Sequence, residues 1–278
     1  MKSSVKRGPT VFRRMMSELR VAQCVWLTNV RAAMENRAAF AMQIVGMMVN
    51  DLSFVIVWVL FFQAVGTVNG WGGWESVGLL GFGTVSLGLA FGCCGGTTWL
   101  TKYVEDSSLD NFILSPRNVL WRMLTSRFDL PAFGDALFGA ILLLAFAIKM
   151  QLSAWSIALL LGCILPAASI TLSMSLIAGC VAFYIQDAQG LAFSLFKTFL
   201  TPSLYPAGLF PRPAKMFFVF VLPSLAVGGF PVQVIEEGNF GLFLLIWGLA
   251  IFWLVAGIAV FSFSLRRYES GNAIGLRS

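Results

Sequence analysis

Apolar runs long enough to cross a lipid bilayer recur through this chain, and they fix what it can fold into. A helix crosses the hydrocarbon core in about 20 apolar residues, and few other backbones satisfy their own hydrogen bonds there. Such runs cover 40–65, 77–100, 132–150, 155–184 and 240–265, and a shorter one, 190–205, carries Lys197. The rest of the composition agrees. Only 12% of residues are charged, whereas a soluble domain needs about 25% to face water. Twenty-six Phe and nine Trp suit lipid-facing surfaces and interfacial belts. The sequence therefore predicts an all-α membrane protein.

Several chemistries drop out at once. The chain has no histidine, so it lacks the usual base at neutral pH, the commonest metal ligand and the Ser-His-Asp type of triad. Cys24, Cys93, Cys94, Cys163 and Cys180 show no metal spacing. All five fall in segments placed in or on the membrane, where they read as small apolar residues rather than disulfide partners. No phosphate-binding loop of the Gly-x-x-x-x-Gly-Lys-Ser/Thr kind occurs, so nucleotide-driven work needs another chain. No catalytic, cofactor or metal site is expected here.

The net charge of +6 suggests nucleic acid only until the charges are placed. Residues 1–38 hold eight Lys/Arg, the stretch 101–131 four and the tail from Arg266 three, fifteen of the nineteen in the chain. Six crossings put all fifteen on one side, and basic residues favour the cytoplasm, so both termini are expected there. Lys149, Arg212 and Lys215 fall outside. Five or seven crossings would strand the basic tail on the wrong side.

The polar segments divide the chain into three parts. Residues 1–38 carry Phe12, Met15, Met16, Leu19, Trp26, Val30, Ala33 and Met34 at helical spacing opposite Arg13, Arg20 and Arg31. This describes a helix on an anionic membrane surface, or one packed on a partner. Residues 39–265 form the transmembrane part, and 266–278 a cytoplasmic tail. Within the transmembrane part, 68–75 reads as an interfacial turn, and Pro166 is expected to bend the fourth span. The apolar piece 217–230 is too short to cross and reads as an interfacial or re-entrant hairpin.

Some residues inside the spans invite functional readings. Thr84, Gly88, Gly92 and Gly96 share one helix face, as do Ala167, Thr171, Ser175 and Gly179; such faces either pack helices closely or line a substrate groove. Asp51 and Lys197 are the intramembrane charges, serving either buried hydrogen bonding or transport. Asp129 and Asp135, near Arg122 and Arg127, suggest an interfacial ion-pair cluster. The 101–131 loop places Leu109, Phe112, Ile113 and Leu114 among acids, ahead of Pro116. Leaving such residues bare in the cytosol is unfavourable, so the loop reads as a docking element, with a solvated loop as its alternative.

Short motifs in order then resemble a known family. The run Arg127 to Asp135 (Arg-Phe-Asp-Leu-Pro-Ala-Phe-Gly-Asp) resembles the start of the third span in type-two permeases of ATP-binding-cassette (ABC) transporters. It is similar, more narrowly, to an uncharacterised bacterial branch of them. Leu109-Asp110 ahead of Pro116, Tyr205-Pro206, Phe210-Pro211, Pro223, Pro231 and the ending Arg266 to Asn272 fit the same branch. The resemblance implies six transmembrane helices, an interfacial N-terminal helix, a coupling helix near 104–116 and a re-entrant element near 207–238. It implies a permease, by analogy an exporter in the bacterial inner membrane, paired with a second permease chain or a copy of itself. Separate ATPase subunits would bind ATP and Mg, and they would touch Glu105, Leu109, Asp110, Phe112 and Leu114. The competing reading is an ATP-independent secondary transporter, channel or scramblase.

Overall fold

The computed structural model describes residues 11–129 and 131–268. Among these, regular structure is helical throughout, and the extended backbone pairing is one antiparallel bridge, Val68 to Trp71. Five stretches are long and apolar enough to cross a membrane: Arg37–Val65, Gly73–Glu105, Pro131–Lys149, Ala154–Phe183 and Phe240–Leu265.

Helix α1 (Val11–Glu35) is separated from α2 (Arg37–Val65) by a single residue. That residue, Asn36, caps α2 by accepting the Ala39 N–H at 3.1 Å, which satisfies an otherwise unpaired donor at the helix start. The turn after α2 is shorter than its Trp- and Gly-rich sequence suggests. Helix α3 (Gly73–Cys94) already includes Trp74 and Glu75, because Glu75 reaches back to accept the Gly72 N–H at 2.9 Å. A tighter 3-10 segment, Gly95–Trp99, joins α3 to α4 (Leu100–Glu105).

Two short helices follow in the connecting loop, α5 (Asp110–Ile113) and α6 (Val119–Leu124). The expected single coupling helix over 104–116 is therefore broken at 106–109, where Ser107 takes φ +59°. Helices α7 (Pro131–Lys149) and α8 (Ala154–Gly179) form a hairpin, with Ser153 capping Ser156 at 3.1 Å. Helix α8 continues through Pro166, and a 3-10 turn, Cys180–Phe183, extends it.

The next element departs from a full-length span. Helix α9 (Gln189–Ser203) has 15 residues, about 22 Å at 1.5 Å per residue. It gives way to a 3-10 turn at Ala207–Leu209 and then to α10 (Arg212–Phe220) and α11 (Gly229–Glu237). The apolar piece 217–230 is thus the hinge between two short helices. Helix α12 (Phe240–Leu265) closes the bundle, capped by Asn239 on Leu242 at 3.0 Å.

The bundle is built around α3, which packs most extensively on α7 and also on α8 and α2. Glycine makes this contact possible. A Cβ at Gly78 would meet the Phe146 ring at 3.1 Å, and one at Gly81 would meet Leu143 at 2.9 Å. From the other side, a Cβ at Gly139 would strike Val85 N. With no hydrophobic drive between helices in lipid, such close approach supplies the attraction. Phe82, Phe146, Ile170 and Ile246 fill the centre with no exposed surface.

Hydrogen bonds and ring contacts tie the ends of the bundle together. At one end, Glu105 accepts the Ala188 N–H at 2.9 Å, and Tyr184 bonds Ser264 at 3.2 Å. At the other, Asn69 donates to the Gly208 carbonyl at 2.9 Å, and the rings of Trp155 and Phe240 lie 6.4 Å apart. The start of α9 therefore meets the end of α4, while the residues just past α9 meet the turn between α2 and α3.

Candidate functional site

The loop between α4 and α7 is anchored to the bundle. Leu109 has no exposed surface and sits in a cluster with Leu100, Tyr103, Met123, Leu176 and Phe261. Its N–H also donates to the Tyr103 carbonyl at 2.9 Å. Asp106 shapes the turn by accepting the Ser108 N–H at 3.0 Å, and the Ser108 side chain, with that backbone bond adding less, holds its carboxyl below the usual carboxylate range. Beneath the loop, the Tyr103 hydroxyl bonds Ser126 at 3.0 Å and accepts from Arg127 Nε at 3.2 Å.

Phe112 is half-buried, edge-on to Tyr103 with centroids 5.3 Å apart, and Arg122 lies over its ring at 5.9 Å. Beyond it the chain turns outward. Leu114 is 84% exposed and Ile113 stands beside it, also exposed. Asp110 opens α5, facing Tyr268, whose hydroxyl is pushed up to about 12 by burial and by that carboxylate.

The five residues expected at a partner contact therefore separate. Leu114 faces outward, and Phe112 and Asp110 are partly covered. Leu109 does not face outward at all; it anchors the loop, because its side chain fills the core beneath the turn. Glu105 is exposed but already engaged with Ala188, at the start of α9. Tyr103 was not legible as a site residue, since one tyrosine in a polar loop carries no periodic signal.

The intramembrane charges also separate. Asp51 and Lys197 do not pair: the Asp51 carboxyl lies against Asp135 of α7, and Lys197 is exposed on α9. Both acids are buried, at 7% and 5% exposure. Asp51 Oδ2 and Asp135 Oδ1 each lack a donor partner. Their meeting follows from a close crossing of α2 and α7, where a Cβ at Gly134 would come 2.8 Å from the Ile44 carbonyl. The expected ion-pair cluster gives way to this carboxyl pair and to ring contacts, with Arg127 stacked over Trp99 at 3.8 Å. Burial raises the Asp129 carboxyl above its ordinary range.

The glycine face of α3 packs within the chain. A Cβ at Gly88 would overlap the Ala136 backbone, and one at Gly96, in the 3-10 segment past the end of α3, would overlap the Met123 carbonyl. One at Gly92 would only touch Ala132, at 4.0 Å. On α8, Thr171 donates to Ser86 of α3 at 3.3 Å, and Gly179 faces Leu100. The cysteines are free.

A bundle of long apolar helices around one glycine-rich central helix defines an integral α-helical membrane protein. The family model described as ABC-2 family transporter protein matches residues 48–272, and the chain belongs to that family. Members of it are the membrane components of ABC transporters, not their ATPases. No curated protein and no solved structure matches the chain. The matched span reaches past Tyr268, so the last part of the Arg266 to Asn272 motif lies outside the described residues.

Proposed function

We propose that this chain is a permease subunit of an ABC exporter in the bacterial inner membrane, driven through the loop that carries Leu114. ATP, with Mg, is bound and hydrolysed by separate ATPase subunits beneath it. A second permease chain, or a copy of this one, completes the pathway. The observation that carries the reading is the contrast within one loop. Leu109 pins it to the core, while Leu114 and Ile113 are bare, on the side that the six-crossing topology proposed here places in the cytoplasm. Exposed apolar residues on an anchored support are what a partner's groove grips.

Six crossings, with both termini cytoplasmic, are the topology of this proposal. The bond from Ala188 to Glu105 and the bond from Asn69 to Gly208 support it, because they set the two ends of α9 at opposite ends of the bundle. Helices α10 and α11 then form the re-entrant element on the outer side, and α5 the coupling helix. The cluster under Leu109 includes Leu100 at the end of the span Gly73–Glu105, Leu176 of α8 and Phe261 of α12. A push on α5 therefore reaches three transmembrane helices together. ATP drives the cycle by binding better to the closed ATPase pair, and the permease responds without chemistry of its own.

Co-purification with an ABC ATPase from the same genome tests this. Changing both Ile113→Glu and Leu114→Glu is expected to cut recovered ATPase about tenfold or more, the worth of one buried apolar anchor. Thermal stability of the permease should stay unchanged, since surface positions shift it little. Full recovery of the ATPase by the double variant would refute the assignment.

A further inference from the structure

A polar cleft of about 810 Å³ opens where α1 and α2 pass the start of α7. Asn29 of α1, Gln43 of α2, Trp99, Arg127, Phe128 and Asp129 stand on its walls. The spans around it fix its level in the bilayer. Pro131 opens the span Pro131–Lys149, so Arg127 and Asp129 lie two to four residues outside it. Gln43 lies six residues inside Arg37–Val65. The cleft is therefore at the boundary between head groups and hydrocarbon. Farther along the same two helices, Val45, Val49, Leu137 and Ile141 are exposed, as lipid chains require.

The charges of the cleft are held in place but unanswered. The Arg127 guanidinium is stacked over Trp99 at 3.8 Å, and its Nε donates to the Tyr103 hydroxyl at 3.2 Å. These contacts use one of its five N–H groups. Asp129 is half-buried, and among the described residues neither side chain has an ion-pair partner. Burial raises the Asp129 carboxyl, and no neighbouring cation offsets the rise. On the α1 wall, Asn29 Nδ2 is buried without an acceptor. Polar groups left this way are costly unless something meets them.

One ligand answers all three only if it carries an anion and an N–H cation together. An anion alone would face Asp129, and a cation alone would face Arg127. A phosphate suits the free N–H groups of a guanidinium whose plane is already fixed.

We propose that this cleft holds a resident phospholipid by a zwitterionic head group of the phosphoethanolamine type. Its phosphate sits on Arg127 and Asn29, its ammonium on Asp129, and its chains run along α2 and α7. Such a lipid bridges α1 and the start of α7. It is a fixture of the fold, not cargo.

The test titrates the full chain alone, delipidated in detergent, with phosphatidylethanolamine, phosphatidylglycerol or phosphatidylcholine of matched chains. Bound lipid is read by native mass spectrometry. The parent should bind phosphatidylethanolamine about tenfold more tightly than phosphatidylglycerol, the worth of one charge-assisted contact. Phosphatidylcholine, which has the cation but no N–H to give, should fall between. Asp129→Asn keeps the side-chain shape and should erase the preference for ethanolamine over glycerol. Arg127 also bonds Tyr103, so the phosphate end is tested at Asn29 instead: Asn29→Ala should weaken all three lipids about fivefold. Equal affinity of the parent for phosphatidylethanolamine and phosphatidylglycerol, or an unchanged preference in Asp129→Asn, would overturn the proposal. Displacement by glycerophosphoethanolamine at equal concentration would also overturn it, since the soluble head group would then suffice. No ATPase is present and no transport is measured, so this result stands apart from the Leu114 experiment.

Discussion

Replacing single glycines of α3 by alanine tests whether this helix is the axis of the bundle. At Gly88 the added methyl would fall on the Ala136 backbone, which cannot rotate away as a side chain could. Overpacking of this kind costs about 1–3 kcal/mol. The helix-propensity gain of Gly→Ala, about 1 kcal/mol, offsets part of it. The net loss is roughly 0–2 kcal/mol, or up to roughly 8 °C in melting temperature for a chain of this size. Gly92, one turn on, has 4.0 Å to its nearest neighbour, Ala132. Gly92→Ala should keep the propensity gain and melt unchanged or a few degrees higher. Both variants are measured by intrinsic-fluorescence melting in one detergent, where nine Trp give a strong signal. Equal shifts for the two, or a larger loss at Gly92, would refute the α3–α7 packing described above.

Other perturbations follow from the same contacts. Leu109→Ala should destabilise the protein by about 2–5 kcal/mol as a core truncation, and Leu114→Ala should leave its melting unchanged. Asp51→Asn gives the carboxyl pair an amide donor for the orphaned Asp135 oxygen; melting should rise rather than fall, and a large loss would show that the pair is not in contact. Outside the spans, burial and the neighbouring Glu75 and Glu237 push the Glu236 carboxyl up from 4.5 to about 7. The folded state thus holds a proton that the unfolded chain gives up, and stability falls as pH rises between those values. Glu236→Gln should then melt higher than the parent above about pH 8 and match it below about pH 4.

The long helices were legible because the bilayer imposes a length, and apolar runs of that length are hard to mistake. Their ends were less so. Trp74 and Glu75 look like turn residues until the Gly72 contact draws them into α3. Helix α9 (Gln189–Ser203) was legible as the short run 190–205, and the piece 217–230 as too short to cross, but the prolines around them mark breaks without saying what pairs with what. In the 101–131 loop, Leu109, Phe112, Ile113 and Leu114 are all apolar, so only packing decides which anchors and which protrudes. The same holds for Asp51: its depth in the span was readable, but its neighbour Asp135 depends on how α2 crosses α7.

Cysteine-accessibility labelling of the full chain in right-side-out and inverted membrane vesicles tests the central claim, after the five native cysteines are replaced by alanine. Leu114→Cys and Arg267→Cys should react with an impermeant maleimide in inverted vesicles only, and Asn69→Cys in right-side-out vesicles only. Labelling of positions 114 and 267 from opposite faces, or of 69 and 114 from the same face, would contradict the six-crossing arrangement and the coupling surface built on it.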